Sequence, residues 1–317
     1  MKALILQEEL AYQRVFGWIV ETHMVGPAIL RWGTEEQKKK YLPAIANGEI
    51  ETCLGYTEPD AGSDLASLQT RADEKGDYFL LNGRKTFTSM ANIKTHMWLM
   101  ARTDVNVPKH RGISAFMLDM KTPGITCMPF EDIMGRFEFN DVYFDNVQVL
   151  KDCMIGPKNG GWYVMQDALN EERRCFGAGI NNVAICRRYL DYLIDYSRAH
   201  NLLNDLVVRN SLAQLAIEVG QVFAYVSTWE AIQTTIAVRA TSLGRIFNAE
   251  LMQRVSNTAM DILGLYGQLS PDSEQAPWSG EIHNFYLDAP SETIGAGTTE
   301  VMRNTIATVI LGLPRAT

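Results

Sequence analysis

The hydrophobic residues of this chain change their period twice, and that change restricts the fold more than any single motif does. Residues 1–50 carry apolar positions at helical spacing, residues 51–155 read as strands, and from Gly160 the helical period returns and holds to the end. In the first zone, Thr34 followed by Gln37 in WGTEEQKKKYLP is a capping-box pattern, predicting a helix that starts there and stops near Pro43. In the second, DYFLLNGRKTFTS reads as strand, Asn-Gly turn and strand, and RGISAFMLDM, PGITCMPF and FNDVYFDNVQVL add three more strand-like runs. In the third, helical runs cover 162–200, 205–242, 245–266 and 298–312. The expected class is therefore α+β. A helical N-terminal remnant (1–50) precedes an antiparallel, β-barrel-like or sandwich-like middle domain (51–155) and a C-terminal four-helix bundle (156–317). The first helix opens without a cap, with Leu6, Leu10 and Ile19 on its apolar face, and reads as a truncated start.

Composition removes several function classes. The 317 residues carry a net charge of −8, which argues against a nucleic-acid binder, because a phosphate backbone demands a basic face. No apolar run is long enough to span a bilayer. The five cysteines are odd in number and show no CxxC pairing, the pattern of reduced thiols in a cytoplasmic protein without a metal site.

One residue breaks an otherwise regular helix. Trp162, Met165, Leu169, Phe176, Ile180 and Val183 form one face in steps of three and four, and the missing member is Glu172. A carboxylate on a buried stripe is either paired, with Arg173 or Arg174 as neighbours, or functional. Glu171 points about 100° round the helix, toward solvent.

Two further stretches carry chemistry. GYTEPDAGSD, residues 55–64, is a turn rich in backbone N–H groups and hydroxyls that suits an anion or a polar ring. KTFTS, residues 85–89, puts Phe87 and the hydroxyls of Thr86 and Thr88 on opposite sides of a strand; in isolation a core Phe is the simpler account. In this order and separation they resemble the acyl-CoA dehydrogenase family, whose middle domain carries a TEPxAGSD loop and then a K-x-[W/F]-x-[S/T] strand. MVGPAILRWGTEEQKKKYLPAIANGE and GTTEVMRNTIATVILGLPR resemble that family's first-domain exit and last helix.

The resemblance implies FAD as cofactor. Leu54, Tyr56, Thr57, Gly62 and Ser63 would meet one side of the flavin ring and Phe87, Thr88 and Ser89 the other. Thr298, Thr299 and Glu300 would hold the diphosphate and adenosine end, and Ser63, Asn170 and Arg173 would lie by the acyl-CoA. Most members place the catalytic glutamate just before the last helix, where this chain has Ala296. A minority, resembling the isovaleryl-CoA dehydrogenase type and bacterial steroid or branched-chain relatives, carry it in an L-x-x-E-R context. Leu169-Asn170-Glu171-Glu172-Arg173 fits that context, with Glu172 as the base.

The implied reaction is α,β-dehydrogenation of an acyl-CoA to the trans-2-enoyl-CoA, with electrons passing to an electron-transfer flavoprotein, in fatty-acid or steroid side-chain oxidation. Two family features depart. SRAHNLLNDLVVRN lacks R-x-x-F-G, and residues 261–267 replace the Gln and one Gly of Q-x-x-G-G-x-G; both are groups a subunit lends to its neighbour's flavin. That leaves open a homo-oligomer, or a heterotetramer with a homologous subunit. Competing functions are a non-catalytic or half-site subunit and a flavin oxidase or oxygenase on the same fold.

Overall fold

The structure, a computed structural model, describes the chain except residues 1, 16–19, 176–179, 233–236 and 315–317 and the side chains of 2–4, 170, 172–175, 180, 223–232 and 237–241. The chain divides into two compact units, Ile19–Glu172 and a second built from Met1–Trp18 with Arg173–Thr317.

In the first unit, α2 (Gly26–Trp32) and α3 (Glu35–Ala46) lead into an eight-stranded sheet. Thr34 caps α3 as the spacing predicts, and Gln37 completes the capping box. The amide of Gln37 also donates to the carbonyls of Asp152 (2.7 Å) and Met154 (2.8 Å), which ties α3 to the last, two-residue strand of the sheet and the turn before it. The helix does not stop near Pro43. It runs through that exposed proline to Ala46, because the hydrogen bond that proline forgoes costs little on a solvated face.

The strands are β1 (Thr52–Gly55), β2 (Arg71–Lys75), β3 (Tyr78–Ser89), β4 (His96–Arg102), β5 (Ile113–Asp119), β6 (Ile125–Phe130), β7 (Phe139–Leu150) and β8 (Met154–Ile155). Their order, β6-β7-β3-β2-β4-β5-β8 with β1 beside β4, leaves the sheet open rather than closed as a barrel. The two ends cannot meet usefully: β8 has two residues, and β6 buries none of its own. Nor is the sheet wholly antiparallel, since β1 runs parallel to β4 from Thr52↔His96 to Gly55↔Leu99.

The expected Asn-Gly hairpin is also absent. The turn falls at Gly76-Asp77, and β3 passes straight through Asn82-Gly83. Asn82 instead meets a bulge on β7, accepting from Asn146 N at 2.9 Å, while the backbone at Gly83 crosses Thr70 so closely that a Cβ would lie 2.7 Å from Thr70 Cα.

Both sheet faces are covered, so β4 reads as a continuous buried run rather than an alternating one. Trp98, Met100, Ala115 and Met117 pack with α2, α3 and α4 (Gly161–Cys175). Met97, Leu99, Phe116, Phe79 and Val142 form the core on the other face. The first turn of α4 lies hard on β5: a Cβ at Gly161 would sit 2.6 Å from Ser114 Cα.

The second unit holds α1 (Lys2–Tyr12), α5 (Ile180–Ala199), α6 (Leu206–Ile232), α7 (Ala237–Leu263), α8 (Glu281–Asp288) and α9 (Thr299–Thr305). Its core gathers Tyr189, Leu193, Leu215, Leu251, Val255 and Phe285 from four of them. Gly264, with φ +57°, ends α7 in the left-handed conformation that glycine adopts without penalty. Of the apolar face expected for α1, Leu10 is half-buried, Leu6 is turned outward and Ile19 lies outside the described residues. Leu6 is 59% exposed while Glu8 is buried against Arg187, and Tyr12 donates to Asp191 at 2.8 Å, so polar pairing rather than leucine burial seats this helix on α5.

Candidate active site

β1 delivers the chain into the loop of residues 56–64, and β3 carries Lys85 to Ser89 alongside it. Leu54 is half-buried opposite Trp98, Tyr56 is buried, Thr57 is half-buried, and Gly62 and Ser63 are exposed. Glu58 and Ala61 exchange backbone hydrogen bonds of 3.1 and 3.0 Å across the Pro59-Asp60 turn, so the loop has a fixed shape.

A buried ion pair anchors it. Lys85, with no exposed surface, donates from Nζ to Glu58 Oε1 (2.7 Å) and to the Tyr56 carbonyl (3.0 Å). Glu58 also accepts the backbone N–H of Gln69 (2.5 Å) and Thr70 (2.9 Å). Thr86 N adds a bond to Thr57 O at 2.9 Å. Burial pushes the Lys85 ammonium below its ordinary pKa against the pull of Glu58. Burial alone would raise the Glu58 carboxyl, but Lys85 and the amide donors outweigh it and hold that group below the usual carboxylate range. Behind the loop Arg102, also buried, donates to three carbonyls: Leu68 (2.9 Å), Ala66 (2.6 Å) and Lys109 (3.0 Å). Strand parity could have flagged Lys85, since Phe79, Leu81 and Lys85 share the inward side; Arg102 sits in an apolar strand with the same kind of signal.

A bulge then decides which β3 residues face out. Lys85 pairs with Val142 but Thr88 pairs with Asn140, so β3 holds one extra residue, and Phe87 takes φ +52°. The inward parity shifts from odd to even numbers. Thr88 is buried, whereas Phe87, at 61%, and Ser89 are exposed. Phe87 is therefore no core residue; it meets Phe130 and Phe139 edge-on at 5.5 and 6.0 Å. A large aromatic face held outward, flanked by the Ser89 hydroxyl and tied to a loop of amides and hydroxyls, is a donor set that fits a flat ring with an apolar face and polar edges.

On α4, Gly161, Val164, Met165 and Ala168 are buried. The backbone of position 172 continues that line, four residues beyond Ala168 and seven beyond Met165. The side chains of Asn170, Glu172 and Arg173 lie outside the described residues. Glu171 does not point into water: its side chain is 17% exposed and faces Arg31 at 3.8 Å. One turn earlier Asp167 takes Arg31 (3.1 Å) and the Trp32 indole N–H (2.7 Å), so the 167/171 side of α4 is an ion-paired face distinct from the buried line.

In the second unit, Ala296 and Gly297 have φ +50° and +94°, and Thr298 caps α9 by accepting from Val301 N at 3.2 Å. Thr299 is buried and Glu300 exposed. Nearby, Arg245 donates to Glu292 Oε2 (2.7 Å) and to the carbonyls of Glu292 and Gly295 (2.9 Å each), and Asn182 reaches the same carboxylate at 2.9 Å. Among the described residues no group of His, Cys, Asp and Glu could hold a metal ion, and no helix is long and apolar enough to cross a membrane.

Three family models match along the chain: the acyl-CoA dehydrogenase N-terminal domain at residues 1–49, the middle domain at 53–147 and the C-terminal domain at 159–311. Acyl-CoA dehydrogenase FadE29 of Mycobacterium tuberculosis is 34% identical over 315 residues, covering 93% of this chain and 76% of the relative. A solved Tcur3481-Tcur3483 steroid ACAD superposes with a TM-score of 0.90 at 33% identity, covering 99% of this chain and 81% of that one. The ChsE4-ChsE5 complex from Mycobacterium tuberculosis gives a TM-score of 0.91 at 29% identity, with 99% and 82% covered. With the loop, the bulged strand and these matches together, the chain belongs to the acyl-CoA dehydrogenase family, FAD-dependent flavoprotein oxidoreductases that act on acyl-CoA.

Proposed function

We propose that this chain dehydrogenates an acyl-CoA thioester between Cα and Cβ to the trans-2-enoyl-CoA, with Glu172 taking the α-proton. The observation that carries this reading is the burial pattern of α4. Its buried line runs through Met165 and Ala168 to the backbone position of Glu172, while Glu171 is engaged on another face by Arg31. The alternative base position holds Ala296, which has no titratable group. Removing a proton α to a thioester requires a carboxylate held against that carbon, and a helix seated on the sheet by Gly161 gives it a rigid mount.

When bound, FAD supplies the hydride acceptor for the β-carbon. Leu54, Tyr56, Thr57, Gly62, Ser63, Phe87 and Ser89 would hold its ring, with Thr88 buried behind them, and Thr298, Thr299 and Glu300 its diphosphate and adenosine end. Fixed donors of the 57–63 loop would stabilise negative charge on the ring edge without solvent reorganisation. Ser63, Asn170 and Arg173 orient the thioester. A steroid or branched side-chain acyl-CoA is the favoured substrate class, supported by the likeness to the steroid ACAD. The electron acceptor is an electron-transfer flavoprotein, and the compartment is the cytoplasm, in keeping with the free thiols of Cys53, Cys127, Cys153 and Cys186.

The test is anaerobic mixing with a panel of acyl-CoAs, following flavin absorbance. Glu172→Gln should abolish bleaching and Glu171→Gln should retain it. Bleaching that survives Glu172→Gln refutes the assigned base.

A second reading concerns assembly. The chain departs from the family at 197–210 and 261–267, the segments a subunit lends to its neighbour's flavin, and one solved relative is a complex of two differently named chains, ChsE4 and ChsE5. We assign it to a heterotetramer with a homologous subunit, holding fewer flavins than subunits. A homo-oligomer of this chain alone with one FAD per subunit sinks that assignment.

A further inference from the structure

We infer that Lys85 is a positioning residue for the flavin: its ammonium locks the 56–58 backbone to the strand that presents Phe87 and Ser89, fixing the two ring-facing segments against each other. The inference rests on the reading that these segments hold FAD. One nitrogen ties loop to strand twice, Lys85 Nζ donating to the Tyr56 carbonyl and to Glu58, and Thr86 N adds a bond to Thr57 O. No other described lysine is free of exposed surface.

A fold that needed only stability at this place would do as well with an apolar pair, since replacing a buried ion pair by hydrophobic groups is often neutral. What an apolar pair cannot do is hold the Tyr56 carbonyl. That carbonyl belongs to the residue before Thr57, and its direction sets the peptide plane from which the loop departs. Lys85 also lies immediately before the bulge that turns Phe87 outward, so its tether reaches the other ring-facing segment through two residues of strand.

The experiment separates anchoring from stability. Full-length wild type, Lys85→Met, Glu58→Gln and the double variant, each with any copurifying partner, are stripped of flavin and titrated with FAD by fluorescence, and their thermal unfolding is measured without flavin. Lys85→Met strands Glu58 and should lower both stability and FAD affinity. The double variant removes both charges; its melting temperature should recover toward wild type while its FAD affinity stays weakened about tenfold, the worth of one charge-assisted hydrogen bond. Lys85→Arg, which keeps a donor for the carbonyl, should restore part of the affinity. FAD affinity that recovers together with stability in the double variant makes Lys85 merely structural and overturns the inference, as does wild-type affinity in Lys85→Met. Phe87→Ala and Ser63→Ala serve as controls. If they weaken FAD and the Lys85 variants do not, only this inference fails; if they leave FAD binding untouched, the assigned ring site fails.

Discussion

Arg102 offers the sharpest test of how the loop is supported. The residue is 7% exposed and its guanidinium donates to three backbone carbonyls, Leu68, Ala66 and Lys109, at 2.6–3.0 Å, with no ion-paired carboxylate among the described residues. Replacing it with Met deletes three charge-assisted bonds of about 1.5–3 kcal/mol each and leaves three carbonyls unpaired. Those values are already net of the cost of desolvating the guanidinium, a cost whose direction shows in the lowered Arg102 pKa, with Glu58 opposing it. At the low end of the range the three bonds together amount to a loss of about 4 kcal/mol. Arg102→Lys should be no better: a single ammonium still bears the desolvation cost yet cannot span three carbonyls set by a planar fork. The assay is the midpoint of urea unfolding for wild type, Arg102→Met and Arg102→Lys, with unchanged slope required for comparison. Wild-type stability in Arg102→Lys would refute the argument that fork geometry, rather than charge, holds residues 66–68.

Other outcomes follow from single positions. Gly161→Ala places a Cβ against Ser114 Cα at 2.6 Å and Ala115 N at 2.7 Å, so α4 must lift from β5; we expect a loss of about 2 kcal/mol in unfolding free energy and reduced turnover, because that helix carries Glu172. Glu58 sits below its ordinary 4.5 in the folded protein, so its stabilising contribution is complete above that value and lost as pH falls through the folded pKa; acid unfolding monitored below pH 5 should be less steep in Glu58→Gln. Thr298→Ala removes the N-cap of α9 and should cost about 1 kcal/mol, with Thr298→Ser close to wild type by thermal unfolding.

Periodicity and turn chemistry in the amino-acid sequence determined the helix–sheet–helix order, the α3 cap and the motifs of the loop and strand, because each rests on neighbours a few residues apart. The same local evidence singled out position 172, since a helical stripe is legible wherever its apolar members are regular. It misread what depends on partners distant in sequence. The Asn-Gly of β3 forms no turn because β7 bulges opposite it at Asn146 and Thr70 lies beneath Gly83. Leucine spacing suggested one face for α1, but Arg187 and Asp191, some 180 residues away along the chain, seat it by another. Strand alternation alone would have kept Phe87 and Ser89 on the side of Lys85. Only the register with β7, set by an extra residue in one strand, turned them outward while leaving the lysine buried beneath the loop.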